Sequence, residues 1–411
     1  MTRRMGSRHI LLTRSFAFVW SGQLVAQIGD GVTKLALLWF VYAITGSPLK
    51  TTIIGMLQTI PPIVFGPLIG VLVDRLPKKP TLITIDLLRA VLIGVIPCWA
   101  SADSFTVERL YLLVFLHAIA TAVAGPALLA TIPRIVGRDQ YTAANALVQG
   151  TTSLGVIVGP ALSGIGIATL SSQQVLCVNA VTYVFSAACF LPITLSPRPA
   201  PTEHRSPMSD LMEGFRFVLQ PMILLVIATA ALHSFGTAAF STLFPVFGRK
   251  MLDLGPVEVG YLWSAFGIGL FLTSMALIRV VGWSLEQRIK AIAASAAMTG
   301  SALLALATSP TGLIAAIWMV VIGLGVGVFT PIAWGVLQEL SPEALVGRVL
   351  TIYGTGAMTA AIAGMTAFGW ATQDWGERPS VVGIGLVLLV TAVFAARFGG
   401  WIRTSASALR T

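Results

Sequence analysis

Long runs of apolar residues, separated by short polar segments, dominate the pattern of this chain. A helix needs about 20 mostly apolar residues to cross the hydrocarbon core of a bilayer, and clusters of Arg, Pro and Gly are typical of the ends of such helices. We therefore predict an all-α membrane protein with twelve transmembrane helices. The predicted spans are 16–44, 51–73, 81–101, 110–131, 143–170, 174–195, 222–247, 257–281, 289–308, 311–334, 349–373 and 380–402.

The composition agrees with this pattern. Hydrophobic residues make up 56% of the chain and charged residues 10%, with a mean hydropathy of +0.87, which lies outside the range of soluble domains. The formal net charge is +10, but the basic residues stand singly or in pairs between apolar runs instead of forming one basic surface. We predict a lipid bilayer as the environment and no nucleic-acid partner.

The position of the basic residues predicts the orientation of the chain. Most Lys and Arg fall in the termini and in the even-numbered loops, and loops rich in these residues stay in the cytoplasm. We therefore expect a multi-pass protein of the cytoplasmic (inner) membrane with both termini in the cytoplasm.

The longest polar interruption lies at the midpoint of the chain and begins with a Pro-rich stretch typical of a linker. We predict an N-terminal six-helix bundle at 1–195, a cytoplasmic linker at 196–221 and a C-terminal six-helix bundle at 222–411. The segment 133–138 before the Gly-rich fifth span is echoed by 341–348 before the eleventh span, which indicates two pseudo-symmetric halves. Such repeats place the substrate site of a transporter between the halves.

One face of the first span carries its strongly polar side chains, which are Gln23, Gln27, Asp30 and Lys34. Their spacing of 4, 3 and 4 puts all of them on the same side of a helix. Because an ionised side chain that faces lipid at the bilayer centre costs about 2.5–3.5 kcal/mol, we expect this face to line a cavity. We predict that Asp30 binds the coupling proton; the alternative is an ion pair with Lys34 that locks the helix.

Other polar residues inside predicted spans are secondary candidates. His233 in span seven can titrate near neutral pH and is a second candidate for proton coupling, the alternative being a simple hydrogen-bonding role. Gln149, Asn179 and Tyr183 are candidate cavity residues, and packing is the alternative for Asn179 and Tyr183.

The fifth span contains Gly155, Gly159, Pro160 and Gly164. These glycines allow a neighbouring helix to approach closely, and the proline can kink the helix. Close packing and a gating role are both open.

Motifs for covalent chemistry are missing from the sequence. It contains no Gly-Lys dipeptide, so it has no P-loop lysine, and its three cysteines all lie in apolar runs without metal-ligand spacing. We predict no enzymatic activity, no cofactor and no bound metal.

The loop between spans two and three reads Gly-Val-Leu-Val-Asp-Arg-Leu-Pro-Lys-Lys over residues 70–79. It resembles the signature of the major facilitator superfamily, which has Gly where this chain has Pro77. The resemblance implies transport by alternating access and a cytoplasmic gate in which this loop meets the start of the eleventh helix. The implied gate residues are Gly70, Asp74, Arg75, Lys78, Lys79 and Arg348. The alternative is a basic loop that only determines the orientation of the chain in the membrane.

Two further segments resemble parts of the same family. Span five is similar to the antiporter signature of its exporters, with Ser163 in place of one glycine, which implies efflux. Residues 27–31 and 45–48 look like the subgroup of macrolide and siderophore exporters, lysophospholipid transporters and, more remotely, ferroportin-type iron exporters, in which the aspartate of span one matches Asp30. The intramembrane arginine that the family has in span four is absent from residues 112–131.

These features predict a proton-coupled antiporter, expected to be a monomer, that exports an amphipathic small molecule by alternating access. The first alternative is a divalent-metal exporter that uses Asp30 with Asn179 or His233, although intramembrane metal-ligating residues are few. The second is a lysophospholipid or lipid flippase, and the third is a membrane receptor or scaffold that transports nothing.

Overall fold

The computed structural model describes residues 13–100, 106–137, 140–195, 216–277, 283–342 and 345–408. Within these ranges, the side chains at 67, 70, 71, 74, 100, 141–143, 146 and 398–408 are not described. Most of the predicted linker, 196–221, therefore lies outside the described residues, as does the side chain of the predicted gate residue Asp74.

The described residues are almost entirely helical and contain no strand. Six long helices precede the predicted linker: α1 (Arg14–Thr45), α2 (Pro48–Arg75), α3 (Lys78–Ala100), α4 (Val107–Thr131), α5 (Tyr141–Thr169) and α6 (Ser172–Phe190). After it come α7 (Pro221–Met251), α8 (Pro256–Leu277), α9 (Leu285–Ala307), α10 (Gly312–Leu340), α11 (Val346–Trp375) and α12 (Glu377–Ala408). The all-helical prediction is confirmed.

Eleven of these helices, all except α2, are long and apolar enough within the described residues to cross a membrane. Such segments form helices because the hydrocarbon core offers no water to backbone groups, and a helix pairs these groups within itself. The chain is thus a multi-pass membrane protein. The count of twelve spans and the cytoplasmic position of both termini stay predictions.

Short turns separate several of the helices, and local chemistry fixes where they begin and end. Gly46, between α1 and α2, has a φ of +62°, which residues with a Cβ adopt only at a cost in energy. At the start of α9 the Ser284 side chain accepts a hydrogen bond from the backbone N–H of Gln287, whose side chain accepts one from the backbone N–H of Ser284. This capping box satisfies donors that an isolated helix end would leave free.

The chain divides into two compact units. The first unit comprises Met1–Val41 and Leu57–Pro201. Part of its apolar core is built by helices distant in sequence, with Phe16 of α1, Val73 of α2, Ala127 of α4 and Phe190 of α6 all buried in one cluster. This packing holds together the helices that carry the polar residues described below.

The second unit comprises Tyr42–Met56 and Thr202–Thr411. It therefore includes the turn between α1 and α2, where the Ser47 hydroxyl donates a hydrogen bond of 3.1 Å to Oε1 of Gln373 on α11. The main described core of this unit packs α7, α9, α10, α11 and α12 around residues such as Phe329 and Tyr353. The division into bundles at 1–195 and 222–411 stays a prediction.

Candidate functional site

Asp30 of α1 lies where three helices of the first unit meet. Its Oδ1 is 2.5 Å from Nη2 of Arg89 on α3, and the same oxygen accepts a hydrogen bond from the Tyr183 hydroxyl on α6. The Arg89 side chain is 4% exposed, whereas that of Asp30 is 27% exposed. Asp30 is thus the accessible member of a largely buried ion pair.

Arg89 also contacts a second carboxylate. Nη1 of Arg89 is 3.3 Å from Oδ1 of Asp86, one turn earlier on α3, and the Asp86 side chain is 7% exposed. Two carboxylates therefore share one guanidinium. With both carboxylates ionised, these three groups have a formal charge of −1 in surroundings that offer little water, an arrangement that is stable only when hydrogen bonds and charges compensate one another.

Tyr183 connects the ion pair to α4. Its hydroxyl accepts a hydrogen bond of 3.1 Å from Nη2 of Arg89 and lies 3.2 Å from Nε2 of His117, while the Arg89 guanidinium carbon lies 4.1 Å from the centre of its ring. A phenol has a single proton to donate, and here the proton goes to Asp30. The contact with His117 therefore requires a proton on Nε2 of the imidazole. We call Asp30, Asp86, Arg89, His117 and Tyr183 the Asp30 cluster.

Glycines let α1 approach α5 and α6 closely enough to form this cluster. A Cβ added at Gly29 would overlap the Asn179 side chain of α6, and one added at Gly159 of α5 would come within 2.6 Å of the Cα of Gly31. A Cβ added at Gly155 would likewise overlap the backbone carbonyl of Gln27. The glycines of the antiporter-like segment thus pack directly on the stretch of α1 that contains Asp30.

The other residues on the polar face of α1 differ from Asp30 in their exposure and in their contacts. Gln23 and Gln27 are half-buried, and the Lys34 side chain is exposed. Among the described ion pairs, the cation that pairs with Asp30 is Arg89 and not Lys34. This ion pair joins two helices, because Arg89 reaches Asp30 from α3, whereas the alternative that the sequence offered was a pair within α1.

The remaining cavity candidates occupy different surroundings. The Asn179 amide donates a hydrogen bond to the Thr33 hydroxyl of α1, and its Oδ1 accepts one from Thr182 at 2.7 Å, so it contributes to the α1–α6 contact. Gln149 on α5 is exposed, and Pro160 and Gly164 are buried within α5. Tyr183, by contrast, contacts Asp30 directly.

His233 on α7 belongs to the second unit and is 4% exposed. Its ring stacks on Phe329 of α10, with centroids 3.9 Å apart and planes 7° from parallel. Neither ring nitrogen has a hydrogen-bond partner among the described residues.

The basic gate candidates lie at helix ends. Lys78 and Lys79 begin α3, Arg75 ends α2, and Arg348 lies in the first turn of α11 in the second unit. The Asp74 side chain and the surroundings of Gly70 are not described, so the gate stays a prediction.

Sequence reasoning overlooked Asp86 and Arg89. A signal was available, because these are the two charged residues inside the predicted span 81–101 and their spacing of three puts them on one helix face. A charged pair inside an apolar span predicts a partner on another helix, which here is Asp30.

Long apolar helices around a buried charged cluster that includes an accessible carboxylate are typical of membrane transporters. The sequence profile of the Major Facilitator Superfamily matches residues 19–365. The chain belongs to this family.

Among characterised relatives, the chain is 28% identical over 386 residues to the multidrug efflux pump Tap of Mycolicibacterium fortuitum, covering 90% of this chain and 92% of that protein. It is 25% identical over 346 residues to macrolide efflux protein A of Streptococcus pyogenes, covering 83% and 85%. The relatives are exporters.

Solved structures share the fold at low sequence identity. A mutant of the nucleoside transporter NupG gives a TM-score of 0.76 at 12% identity, over 95% of this chain and 99% of that one. A bacterial homologue of the iron transporter ferroportin, in an inward-facing state, gives 0.73 at 15% identity over 95% and 100%.

Proposed function

We propose that this protein exports an amphipathic small molecule across the cytoplasmic membrane in exchange for protons, and that Asp30 is the proton-binding residue. The observation that carries the proposal is the ion pair between Asp30 and Arg89 at the meeting point of α1, α3 and α6. The similarity to a multidrug pump and to a macrolide exporter supports efflux of this class of compound.

The charges of the Asp30 cluster supply a reason for proton binding. One guanidinium faces two carboxylates, so a proton on either carboxylate makes the three groups formally neutral. Asp30 is the more accessible of the two and is therefore the one that exchanges protons with the outside of the protein. A neutral Asp30 no longer holds the guanidinium by charge, and Arg89 then pairs with Asp86 alone.

This exchange of partners links protonation to helix contacts. Asp86 and Arg89 lie on the same helix, whereas Asp30 lies on α1. Protonation therefore weakens the bond between α1 and α3, and deprotonation restores it. A two-state change of this kind can be coupled to alternating access, because each step alters the relative stability of two packing arrangements.

We propose the following oligomeric state, topology, gate and substrate contacts for the transporter. The chain acts in the bilayer as a monomer of two six-helix bundles with cytoplasmic termini and a cytoplasmic gate at residues 70–79. Gln23 and Gln27 contact the substrate from the same face of α1 as Asp30. The protein binds the exported compound and protons as its small-molecule partners.

Transport in proteoliposomes tests the proposal. Purified protein is reconstituted and supplied with a macrolide or with a lipophilic cation, with or without an imposed pH difference. We expect wild-type protein to accumulate substrate against its gradient only when the pH difference is present. The Asp30→Asn variant is expected to lose this accumulation and to retain exchange of labelled for unlabelled substrate, which needs no net proton movement.

A matched variant controls for the loss of a carboxylate. Asp374 on α11 is exposed and belongs to the second unit, so Asp374→Asn is expected to transport like wild type. Proton-driven accumulation by Asp30→Asn at the wild-type rate would contradict the proposed role of Asp30.

A further inference from the structure

A small basic cavity lies in the first unit, away from the Asp30 cluster. Its volume is about 280 Å³; its basic lining residues are Arg75, Lys78, Lys79 and Arg134, and Leu76 and Leu195 are part of its apolar lining. No Asp or Glu is found among the described lining side chains. Positive charge is thus concentrated around a volume that can hold a small group.

Both lysines of the cavity are held in place by carbonyl groups at or just beyond the ends of neighbouring helices. The Lys78 ammonium donates to the carbonyl of Val73 near the end of α2, and that of Lys79 donates to the carbonyls of Leu191 and Ile193, just after α6, at 2.6 and 3.0 Å. An ammonium group has three N–H donors, so Lys79 keeps one for another acceptor. These contacts fix the charges at the cavity instead of leaving them on mobile surface side chains.

The backbone adds to the positive potential. The first turn of α3 contains Lys78 and Lys79 and no acidic residue, although the amino end of a helix carries partial positive charge and favours anions. The basic side chains at this position add to that partial positive charge, so the arrangement is suited to an anionic ligand.

The position of the cavity identifies the source of the anion. Its lining comes from residues at or just beyond the ends of α2, α4 and α6 and at the start of α3. The ends of membrane-spanning helices lie at the level of the lipid headgroups, and clustered Lys and Arg at this level attract anionic lipids. Leu76 and Leu195 provide apolar contacts for the part of a lipid next to its phosphate, which a free phosphate ion does not use.

We propose that this cavity binds the phosphate group of an anionic phospholipid. The guanidinium of Arg134 and the ammonium of Lys79 contact the phosphate oxygens, and Arg75 adds charge at the exposed edge. The site is separate from the Asp30 cluster and does not depend on what the protein transports.

Native mass spectrometry of the full-length protein in detergent micelles tests the site. The protein is titrated with phosphatidylglycerol and, separately, with phosphatidylcholine of the same acyl chains. We expect tighter binding of phosphatidylglycerol, with affinity falling roughly fivefold for each basic side chain removed, and so roughly 25-fold in the double variant Arg75→Gln/Arg134→Gln. The Arg134→Lys variant keeps the charge and is expected to lose less affinity than Arg134→Gln.

The control removes the same charge elsewhere. Lys290 on α9 and Arg397 on α12 are exposed residues of the second unit, and the variant Lys290→Gln/Arg397→Gln is expected to bind phosphatidylglycerol like wild type. The melting temperature of each lipid-free variant confirms that it is folded. An equal loss of affinity in both double variants would show diffuse surface attraction and overturn the proposed site.

A second arm separates the two sources of phosphate. Inorganic phosphate is added to the delipidated protein, and its effect on the melting temperature is measured in wild type and in Arg75→Gln/Arg134→Gln. The proposal predicts no stabilisation by phosphate at concentrations at which phosphatidylglycerol stabilises the wild type. Stabilisation by phosphate but not by phosphatidylglycerol, lost in the double variant, would overturn the lipid assignment.

Discussion

The helices α1 and α7 each begin a set of six in this chain, but their polar side chains have different kinds of partner. On α1 the carboxylate of Asp30 is bound by groups from α3 and α6. On α7 the hydroxyls of Thr229 and Thr237 donate to carbonyls of their own helix, and His233 stacks on Phe329. On this stretch of α1 a charged group thus joins helices, while the corresponding stretch of α7 is held by packing.

This difference favours Asp30 over His233 as the proposed proton-binding residue. A group that exchanges a proton must have partners whose positions respond to its charge, and Asp30 has them in Arg89 and Tyr183. His233 has no hydrogen-bond partner in the part of the chain that the structure describes. We infer that proton coupling resides in the first unit, at Asp30.

Removal of Arg89 is expected to have the largest effect. Arg89→Gln leaves two carboxylates without their shared cation, and breaking a buried ion pair in this way costs about 3–5 kcal/mol. The free energy of unfolding in mixed micelles, measured by titration with sodium dodecyl sulfate, should fall by that amount. Adding Asp86→Asn to this variant should recover part of the loss.

An exposed ion pair provides the comparison for Arg89. Arg288 on α9 pairs with Glu339 on α10 at 2.5 Å, and these side chains are 24% and 52% exposed. Arg288→Gln should cost at most about 1 kcal/mol. Equal losses for the two arginine variants would mean that the Asp30 cluster is not a buried electrostatic network.

Removal of the Tyr183 hydroxyl is expected to have the next largest effect. Tyr183→Phe keeps the ring over the guanidinium but removes hydrogen bonds to Asp30 and Arg89, and bonds to charged groups contribute about 1.5–3 kcal/mol. Unfolding titrations should show a loss of this size. Tyr261→Phe on α8, where the side chain is exposed, should be neutral.

Close packing between α1 and α5 is the third target. Gly159→Ala places a Cβ against the backbone of Gly31, and such overpacking costs about 1–3 kcal/mol. Gly150 on the same helix has nothing within 4 Å of an added Cβ, so Gly150→Ala should be neutral or slightly stabilising. If Gly159→Ala proved as harmless as Gly150→Ala, the glycines of α5 would not be required for the position of Asp30.

The smallest effect is expected for His233. His233→Phe removes a buried imidazole that lacks hydrogen bonds among the described residues and keeps an aromatic ring against Phe329, so stability should change by less than about 1 kcal/mol. Proton-driven transport by this variant decides whether His233 is a second proton site. Its loss, with folding intact, would move part of the coupling to the second unit.

The sequence predicted the helical membrane fold and singled out Asp30 as a carboxylate that needs a partner, because both follow from rules about the bilayer. Apolar runs of sufficient length must form helices, and a carboxylate inside such a run needs a partner. The sequence offered Lys34 as a possible partner and did not indicate Arg89, because spacing along one helix cannot show which side chain arrives from another. Arg89 and Tyr183 are 59 and 153 positions from Asp30 in sequence, and their approach depends on the packing of α1, α3 and α6.

The glycines of α5 illustrate the same limit. Their spacing predicted a close helix neighbour, but α1 could be identified as that neighbour only from the packed helices, where Gly155 and Gly159 meet the backbone around Gln27 and Gly31. Asp86 and Arg89 could have been recognised as charged residues inside a predicted span. That Asp30 and Asp86 share the guanidinium of Arg89 could be recognised only from the packed helices.

Release of protons on substrate binding tests the role of Asp30 most directly. Purified protein in weakly buffered detergent solution is mixed with a macrolide or a lipophilic cation, and a pH-sensitive dye records the protons released. We expect wild-type protein to release protons in proportion to the substrate bound, and Asp30→Asn to bind substrate without releasing any. Equal release by both proteins would contradict a proton-binding role for Asp30.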